Sequence, residues 1–384
     1  MDQNNKNVLW LGLVSFINDT ASKIILPILP LFIKEIGGTG LAIGIISGFG
    51  ESIASLFEVV SGFWSDKLGR RKPFVFLGYL TASICKILFS VAKIWPHVLI
   101  LKSAERLGKG LRSAPRDAII AASTEKETRG KGFGIHRAMD SGGAVLGASL
   151  ALIMYWIFGF TFRDIFLIAG IISFLSLTPL FFVKDRSTVK NTTSLKVGMK
   201  SLPISLKLFM GVATLFALGN FSEMFFILKS QMYFTGKLAI AIPIILYILY
   251  NASFSLFSVP SGILSDKFGR RVVLFMGYTV FGLTCLGFIF SHSLVFFIIL
   301  FILFGLNYAL VEANERAFVS DMVPESVRGT ALGTFNMLTS LVALPGGFIA
   351  GYLWDLNVTY TFVFGAVISL TAIILFSILK SKIK

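Results

Sequence analysis

Cysteine is almost missing from this chain, with only Cys85 and Cys285 among 384 residues, each set inside an apolar stretch. That scarcity excludes a disulfide framework and a cysteine-built metal centre, and it leaves both thiols as small interior residues. Charge is scarce too, at 14% of residues against 55% hydrophobic, and the mean hydropathy is +0.81. A water-soluble domain ordinarily carries about a quarter charged residues, so a chain this apolar belongs in a bilayer. Acidic residues are the rarest charges, 20 against 35 Lys and Arg, for a net charge of +15. Such an excess can mark a nucleic-acid binder, but here the basic residues fall in short loops between apolar runs, as the positive-inside rule expects. No Gly-rich lysine loop for nucleotide, no nucleophile–base pair and no metal-ligand cluster can be read, so neither an enzyme nor a cofactor is expected. The first apolar run continues past Pro27 and Pro30 without a small-residue cleavage site, which argues against a cleaved signal.

What is present is a series of long apolar stretches. Crossing about 30 Å of hydrocarbon as a helix takes roughly 20 mostly apolar residues. Stretches that meet this need run over 8–33, 41–64, 73–92, 95–122, 132–157 and 164–183. After a Lys-rich connector they resume over 204–228, 238–264, 272–290, 294–319, 330–353 and 360–379. This predicts an all-α membrane protein of twelve transmembrane helices, since isolated strands would leave backbone groups unpaired in lipid. The expected organisation is a six-helix bundle over 1–183, a cytoplasmic connector over 184–203 and a second six-helix bundle over 204–384. Lys67, Arg70, Arg71 and Lys72, then Lys126, Arg129 and Lys131, the connector, then Lys267, Arg270 and Arg271, and finally Lys380, Lys382 and Lys384 fall on one side, so both termini are expected in the cytoplasm.

The chain also repeats itself. The stretch SGFWSDKLGRRK at 61–72 recurs as SGILSDKFGRR at 261–271, so Gly62, Asp66, Gly69, Arg70 and Arg71 answer to Gly262, Asp266, Gly269, Arg270 and Arg271. A repeat at half the chain length means two copies of one structural unit. Arg129, Gly130 and Gly134 answer in the same way to Arg328, Gly329 and Gly333.

This repeated G-x-x-x-D-x-x-G-R-R loop resembles the signature loop of the major facilitator superfamily, and the six-plus-six layout extends the resemblance over the whole chain. It implies the two-bundle fold of that family and a cytoplasmic latch in which Asp66 works with Arg70 and Arg71, and Asp266 with Arg270 and Arg271. Arg106, Gly110 and Ala114 match the family's R-x-x-x-G-x-x-x-A pattern, which implies proton coupling. Lys109 and Arg112 depart from that pattern where an uncharged polar residue and a glycine are common, which points away from a simple hydrophobic drug. Gly143 and Gly147 resemble the exporters' glycine motif, with Ala148 in place of its proline.

Charges inside membrane helices are costly and normally face protein or water, which makes them the candidates for chemistry. On the fourth predicted helix Lys102, Glu105, Arg106, Lys109, Arg112 and Arg116 recur every three or four residues and so share one face. Counting along each helix puts Asp19, Glu51, Arg106 and Lys109 near the midplane, and Glu58, Arg112, His136, Arg137 and Asp140 nearer the cytoplasm. Asp19 and Glu51 are the preferred proton sites, with Arg106, Asp140 and His136 as further coupling candidates. For substrate the candidates are Lys23, Lys109, Arg112, Arg137, Asn220, Glu223, Asn251, Asn307 and Glu312. Clustered Arg and Lys suit a carboxylate or phosphate, so an anionic or zwitterionic solute is expected. The bland reading, in which Glu105, Asp117 and Asp140 simply neutralise Arg106, Arg116 and Arg137, stands beside it.

These readings lead to a secondary active transporter in the cell's inner membrane, coupled to protons, monomeric, and partnered by lipid and a small solute but not by nucleic acid. Within it, efflux of a drug or metabolite competes with movement of a siderophore or other organic anion. A receptor or assembly partner on the same fold is the alternative of a different class.

Overall fold

The computed structural model describes residues 3–124, 129–185 and 202–379, and among these it is helical throughout, with no strand. Most of the predicted connector, together with Lys126, Lys380, Lys382 and Lys384, lies outside the described residues. The helices are α1 (Gln3–Ile25), α2 (Leu29–Glu35), α3 (Gly40–Leu68), α4 (Lys72–Phe89), α5 (Trp95–Ala122), α6 (Arg129–Trp156), α7 (Phe162–Leu175), α8 (Ile204–Gly219), α9 (Glu223–Gln231), α10 (Leu238–Phe268), α11 (Arg270–Ile289), α12 (Leu294–Asp321), α13 (Glu325–Leu341), α14 (Ala343–Leu356) and α15 (Val358–Ile378).

Three predicted crossings are each two helices in series. Pro27 lies in the turn that separates α1 from α2, and residues 220–222 separate α8 from α9, where the Ser222 hydroxyl accepts from the Met224 N–H to start the new helix. The chain also breaks at Val342, ahead of Pro345, between α13 and α14. Counting each broken pair once, eleven segments among the described residues are long and apolar enough to cross a membrane. Helix α5 has the length, 28 residues, but its charges between Lys102 and Asp117 set it apart from the other eleven. The sequence count of twelve therefore includes one helix whose composition is not that of a lipid-facing span.

The residues divide into two compact units, one of Met1–Gly37 with Ile53–Leu195 and one of Gly38–Ser52 with Lys196–Lys384. Helix α3 thus begins in the second unit and ends in the first. In the first unit α3 lies against α5 through small residues. A Cβ added at Gly62 would stand 3.2 Å from that of Ala114, and the Ser61 hydroxyl donates to the Gly110 carbonyl at 2.9 Å. The second unit repeats the contact, with Ser261 donating to Ala309 at 2.8 Å. Close backbone approach through small residues is how membrane helices gain packing when lipid supplies no hydrophobic drive.

The opening of α3 packs on α14 in the same manner, inside the second unit. Gly44 meets the Gly347 carbonyl and Gly48 the Ala343 carbonyl, so closely that a side chain at either position has no room. The Asp355 carboxylate accepts from the Gly40 and Leu41 N–H groups at 2.6 and 2.9 Å. It thereby satisfies two of the donors that a helix start leaves open, with its charge at the favourable end of the helix dipole. Asp355→Ala is expected to lower the unfolding free energy by about 1 kcal/mol, the usual size of a lost cap, read as a lower thermal midpoint in detergent. An unchanged midpoint would assign the contact no role in stability.

Candidate functional site

Chemistry-bearing side chains gather separately in each unit. In the first unit Ser15 of α1 is the hub. Its hydroxyl shares hydrogen bonds with the Tyr79 hydroxyl at 3.0 Å and His136 Nε2 at 2.9 Å, and it accepts from the Arg116 guanidinium at 3.4 Å. His136 Nδ1 stands 3.6 Å from Asp140 Oδ2, while Asp140 Oδ1 is buried without a hydrogen bond. Asp19, one turn further along α1, accepts from the Asn18 amide at 3.3 Å and lies within electrostatic range of Asp140. The sequence candidates Asp19, His136 and Asp140 are thus brought together, and one hydroxyl, one phenol and one arginine link them.

The cations of α5 are mostly engaged. Lys102 donates to Glu105 at 2.7 Å, both buried, and Arg116 pairs with Asp117 at 2.9 Å. The Arg112 guanidinium lies over the Tyr79 ring at 4.4 Å, a cation–π contact. One Arg112 nitrogen is buried without a hydrogen bond. Arg106 and Lys23 are half-buried, while Lys109 and Arg137 are exposed. The bland ion-pair reading finds Arg116 on Asp117 as expected, and adds Lys102 on Glu105. An anion site built from a row of free cations finds little in this arrangement.

The second unit is acidic and aromatic. Glu51 belongs to this unit, because the first half of α3 clusters with it. Glu51, Glu223 and Glu312 all bear electrostatically on Tyr308. Tyr308 packs edge-on against Tyr250 at 5.5 Å and Phe304 at 5.3 Å, and Tyr250 stacks on Phe304 at 4.9 Å. Glu312 also has Arg316 at 3.9 Å. Glu223 is the first residue of α9, where the helix dipole favours a carboxylate. The polar candidates divide. Asn251 donates to Tyr247 O within its own helix, and Asn307 donates to Gly277 O of α11 while its side-chain oxygen is buried with no partner. Asn220, in the α8–α9 break, keeps a buried side-chain oxygen with no partner.

The repeated turns hold Gly69 at φ 66° and Gly269 at φ 92°, a region that disfavours any side chain. Within each turn a single arginine takes the aspartate, and not the same one. Arg71 pairs with Asp66 at 3.0 Å, whereas Arg270 pairs with Asp266 at 2.8 Å and with Asp321 at 3.1 Å. Both arginines of each turn were expected on the carboxylate; the ion pairs formed are Arg71 with Asp66 and Arg270 with Asp266. Arg271 instead lies over Phe376 at 5.8 Å. Nothing within 4 Å would meet a Cβ at Gly262, so the repeat's first glycine is needed for packing only at Gly62.

The sequence profile of the Major Facilitator Superfamily matches residues 11–249 and 233–382. The chain belongs to the Major Facilitator Superfamily. It is 48% identical over 370 residues to an uncharacterised MFS-type transporter of Methanocaldococcus jannaschii, covering 95% of this chain and 93% of that one. It is 24% identical over 378 residues to Multidrug resistance protein 1 of Bacillus subtilis, covering 96% and 94%. Its fold is that of the nucleoside transporter NupG, with a TM-score of 0.82 at 15% identity over 97% of this chain and 99% of that one. Superfamily membership makes it a multi-pass membrane protein of a transporter family, not of an enzyme class.

For this superfamily member the sequence reading missed Lys86. It is fully buried on α4, and its ammonium donates to the Asn18 side chain at 2.8 Å, the Ser173 hydroxyl at 3.1 Å and the Asn18 carbonyl at 3.4 Å. The signal was available, as Lys86 is the one charge inside an otherwise apolar span, and intramembrane charges point to function by default. Its acceptors do not depend on it: Ser173 also donates to the Asn18 side chain, and Ser22 to the Asn18 carbonyl. Lys86→Met is therefore expected to leave stability unchanged or higher, as replacing a buried charge by an apolar group of like shape often does. Asn18→Leu removes the shortest of the ammonium's three hydrogen bonds while keeping the buried charge, and should cost roughly 1–3 kcal/mol. Thermal unfolding of both variants decides the matter, and a larger loss for Lys86→Met would refute this account.

Proposed function

We propose that the protein is a proton-coupled secondary active transporter of a small amphipathic solute that carries an amino group, zwitterionic or cationic. The single observation behind the coupling is the first unit's hydroxyl-centred cluster of Ser15, Tyr79, His136, Asp140 and Arg116 beside Asp19. Two carboxylates, an imidazole and an arginine in one water-poor network can hold or release a proton by exchanging partners. Asp140 and His136 join Asp19 as the leading coupling residues, while Glu51 moves to the solute side of the reading.

The amino-group preference rests on the second unit, where Glu51, Glu223 and Glu312 act electrostatically on Tyr308, and Glu223 and Glu312 on Tyr250. Carboxylates near aromatic rings suit a cation on an apolar body. The broken helices support this placement, because transporters commonly hold solutes where the spans of each repeat are interrupted. Asp19 and Lys23 precede the α1–α2 break, while Asn220 and Glu223 flank the α8–α9 break. The second reading, proton-driven efflux of drugs, is favoured by the same wall and by the resemblance to the Bacillus multidrug protein. The protein is taken to work as a monomer of twelve spans in the cell's inner membrane with both termini cytoplasmic, a reading supported by the one-sided distribution of Lys and Arg.

A thermal-shift screen against amines, zwitterions and purely anionic metabolites tests the solute class. Stabilisation by amine-bearing compounds is expected, and stabilisation by anions alone would overturn it. With a compound so found, an imposed pH gradient should drive accumulation in vesicles of the native protein. Asp140→Asn and Asp19→Asn should abolish that accumulation while leaving exchange of solute for solute in place. Gradient-driven accumulation in both variants would remove these residues from the coupling.

A further inference from the structure

The transport reading leaves Lys86 without a task, although its side chain is fully buried on α4. An ammonium has three N–H donors and accepts nothing. Here the donors meet the Asn18 side-chain oxygen at 2.8 Å, the Ser173 hydroxyl at 3.1 Å and the Asn18 carbonyl at 3.4 Å, and no carboxylate is among these partners. Carboxylates do stand near. Glu105 and Asp19 attract the ammonium electrostatically, while Lys102 and Arg112 of α5 repel it. Helix α7 brings the Ser173 hydroxyl, and its own charges, Arg163 and Asp164, stay in its first turn. Cys85 is the neighbouring titratable group on α4 itself.

The Asn18 amide decides what this arrangement can do. Because an ammonium only donates, the amide must turn its oxygen to Lys86, which leaves its NH2 group for the other side. That group donates to Asp19 Oδ1 at 3.3 Å. The Ser173 hydroxyl donates to the same amide oxygen at 3.2 Å and shares a hydrogen bond with Ser83 at 2.8 Å. Hydroxyl hydrogens rotate to suit their surroundings, so these two serines follow the ammonium and do not set the amide's direction. Without Lys86, Ser173 and Asn18 could exchange donor and acceptor roles, and the amide oxygen could face Asp19. On its other side Asp19 meets Asp140 of α6, with Arg116 and Arg137 about that carboxylate.

We infer that Lys86 is a positioning residue for proton uptake at Asp19: acting through the Asn18 amide, it keeps an N–H directed at the Asp19 carboxylate. A donor held on a carboxylate favours the charged form, so a proton enters only against that hydrogen bond and the buried cation behind it. Lys86 acts on the proton through Asn18 alone. The inference rests on the coupling reading, in which Asp19 takes up a proton.

Infrared difference spectroscopy of the full chain in lipid, followed through an acid titration, tests it with the proton itself as the probe. Protonated Asp19 gives a carboxylic C=O band, assigned by its loss in Asp19→Asn. In Lys86→Met the band should reach half its height at a proton concentration about tenfold lower than in the native protein, the usual size of losing a nearby cation. Asn18→Leu should move it the same way. The double variant should move it no further than Asn18→Leu alone, because the two residues act through one contact. An unmoved band in Lys86→Met would overturn the inference and leave the coupling reading standing, and so would additive shifts, which mean action through space. A native protein with no Asp19 band at any pH would instead overturn the coupling reading at Asp19, and this inference with it. Should Lys86→Met fail to fold, Asn18→Leu carries the decision, and an unmoved band there would overturn the inference as well.

Discussion

An ionised group inside a membrane bundle is costly unless the protein gives it partners, so hydrogen bonds and ion pairs between helices weigh heavily here. That constraint explains why the charges of the first unit come as networks. Lys102 closes on Glu105 three residues away, Arg112 spreads over Tyr79, and Lys86 draws on three neutral oxygens from two other helices. The cost of each charge is met locally, and the helices that carry the partners are thereby fixed in register. α1 contributes Ser15, Asn18 and Asp19 to these networks, which makes it the strut on which α4, α6 and α7 converge.

The second unit meets the same constraint by avoidance. Its interior is dominated by rings, with Phe226, Phe288, Phe304 and Phe362 stacked or crossed on one another, and its carboxylates sit where backbone or phenol can satisfy them. Glu315 takes the Tyr278 hydroxyl at 2.7 Å, and Glu223 stands on a helix start. Duplication has preserved the turns and the small-residue contacts of α3 with α5 and of α10 with α12, where geometry allows few alternatives. It has not preserved the interior, where function can diverge once packing is met.

Much of the fold was legible in the sequence because bilayer physics leaves so few solutions. Length and hydropathy placed the helices within a few residues. The breaks were less legible. Pro27 marked one, but the α8–α9 interruption comes at Asn220, Phe221 and Ser222, a stretch with no proline or glycine, and only the Ser222 cap betrays it. Partner identity was the least legible. Helical counting put Asp19 near the midplane and His136 and Asp140 nearer the cytoplasm, and it could not show Ser15 beside His136, because a serine on an apolar helix gives no signal of its own. Nor could it show that Arg271 turns to Phe376 while Arg71 turns to Asp66, since the two turns read alike.

Glu51 shows how a residue's unit can differ from its place in sequence order. That order assigns it to the first bundle, whereas residues 38–52 cluster with the second unit. Helix α3 is a 29-residue helix whose first residues are held to α14 through Gly44, Gly347 and the Asp355 cap. Once the beginning of the helix is fixed by backbone contact and its end by Ser61 on α5, the direction of every side chain between is set by the helical period. Glu51 then bears on Tyr308, whatever its neighbours in sequence suggest. A residue's unit is decided by the contacts at the two ends of its helix, and those contacts run through glycine and serine, the residues that a search for charges passes over.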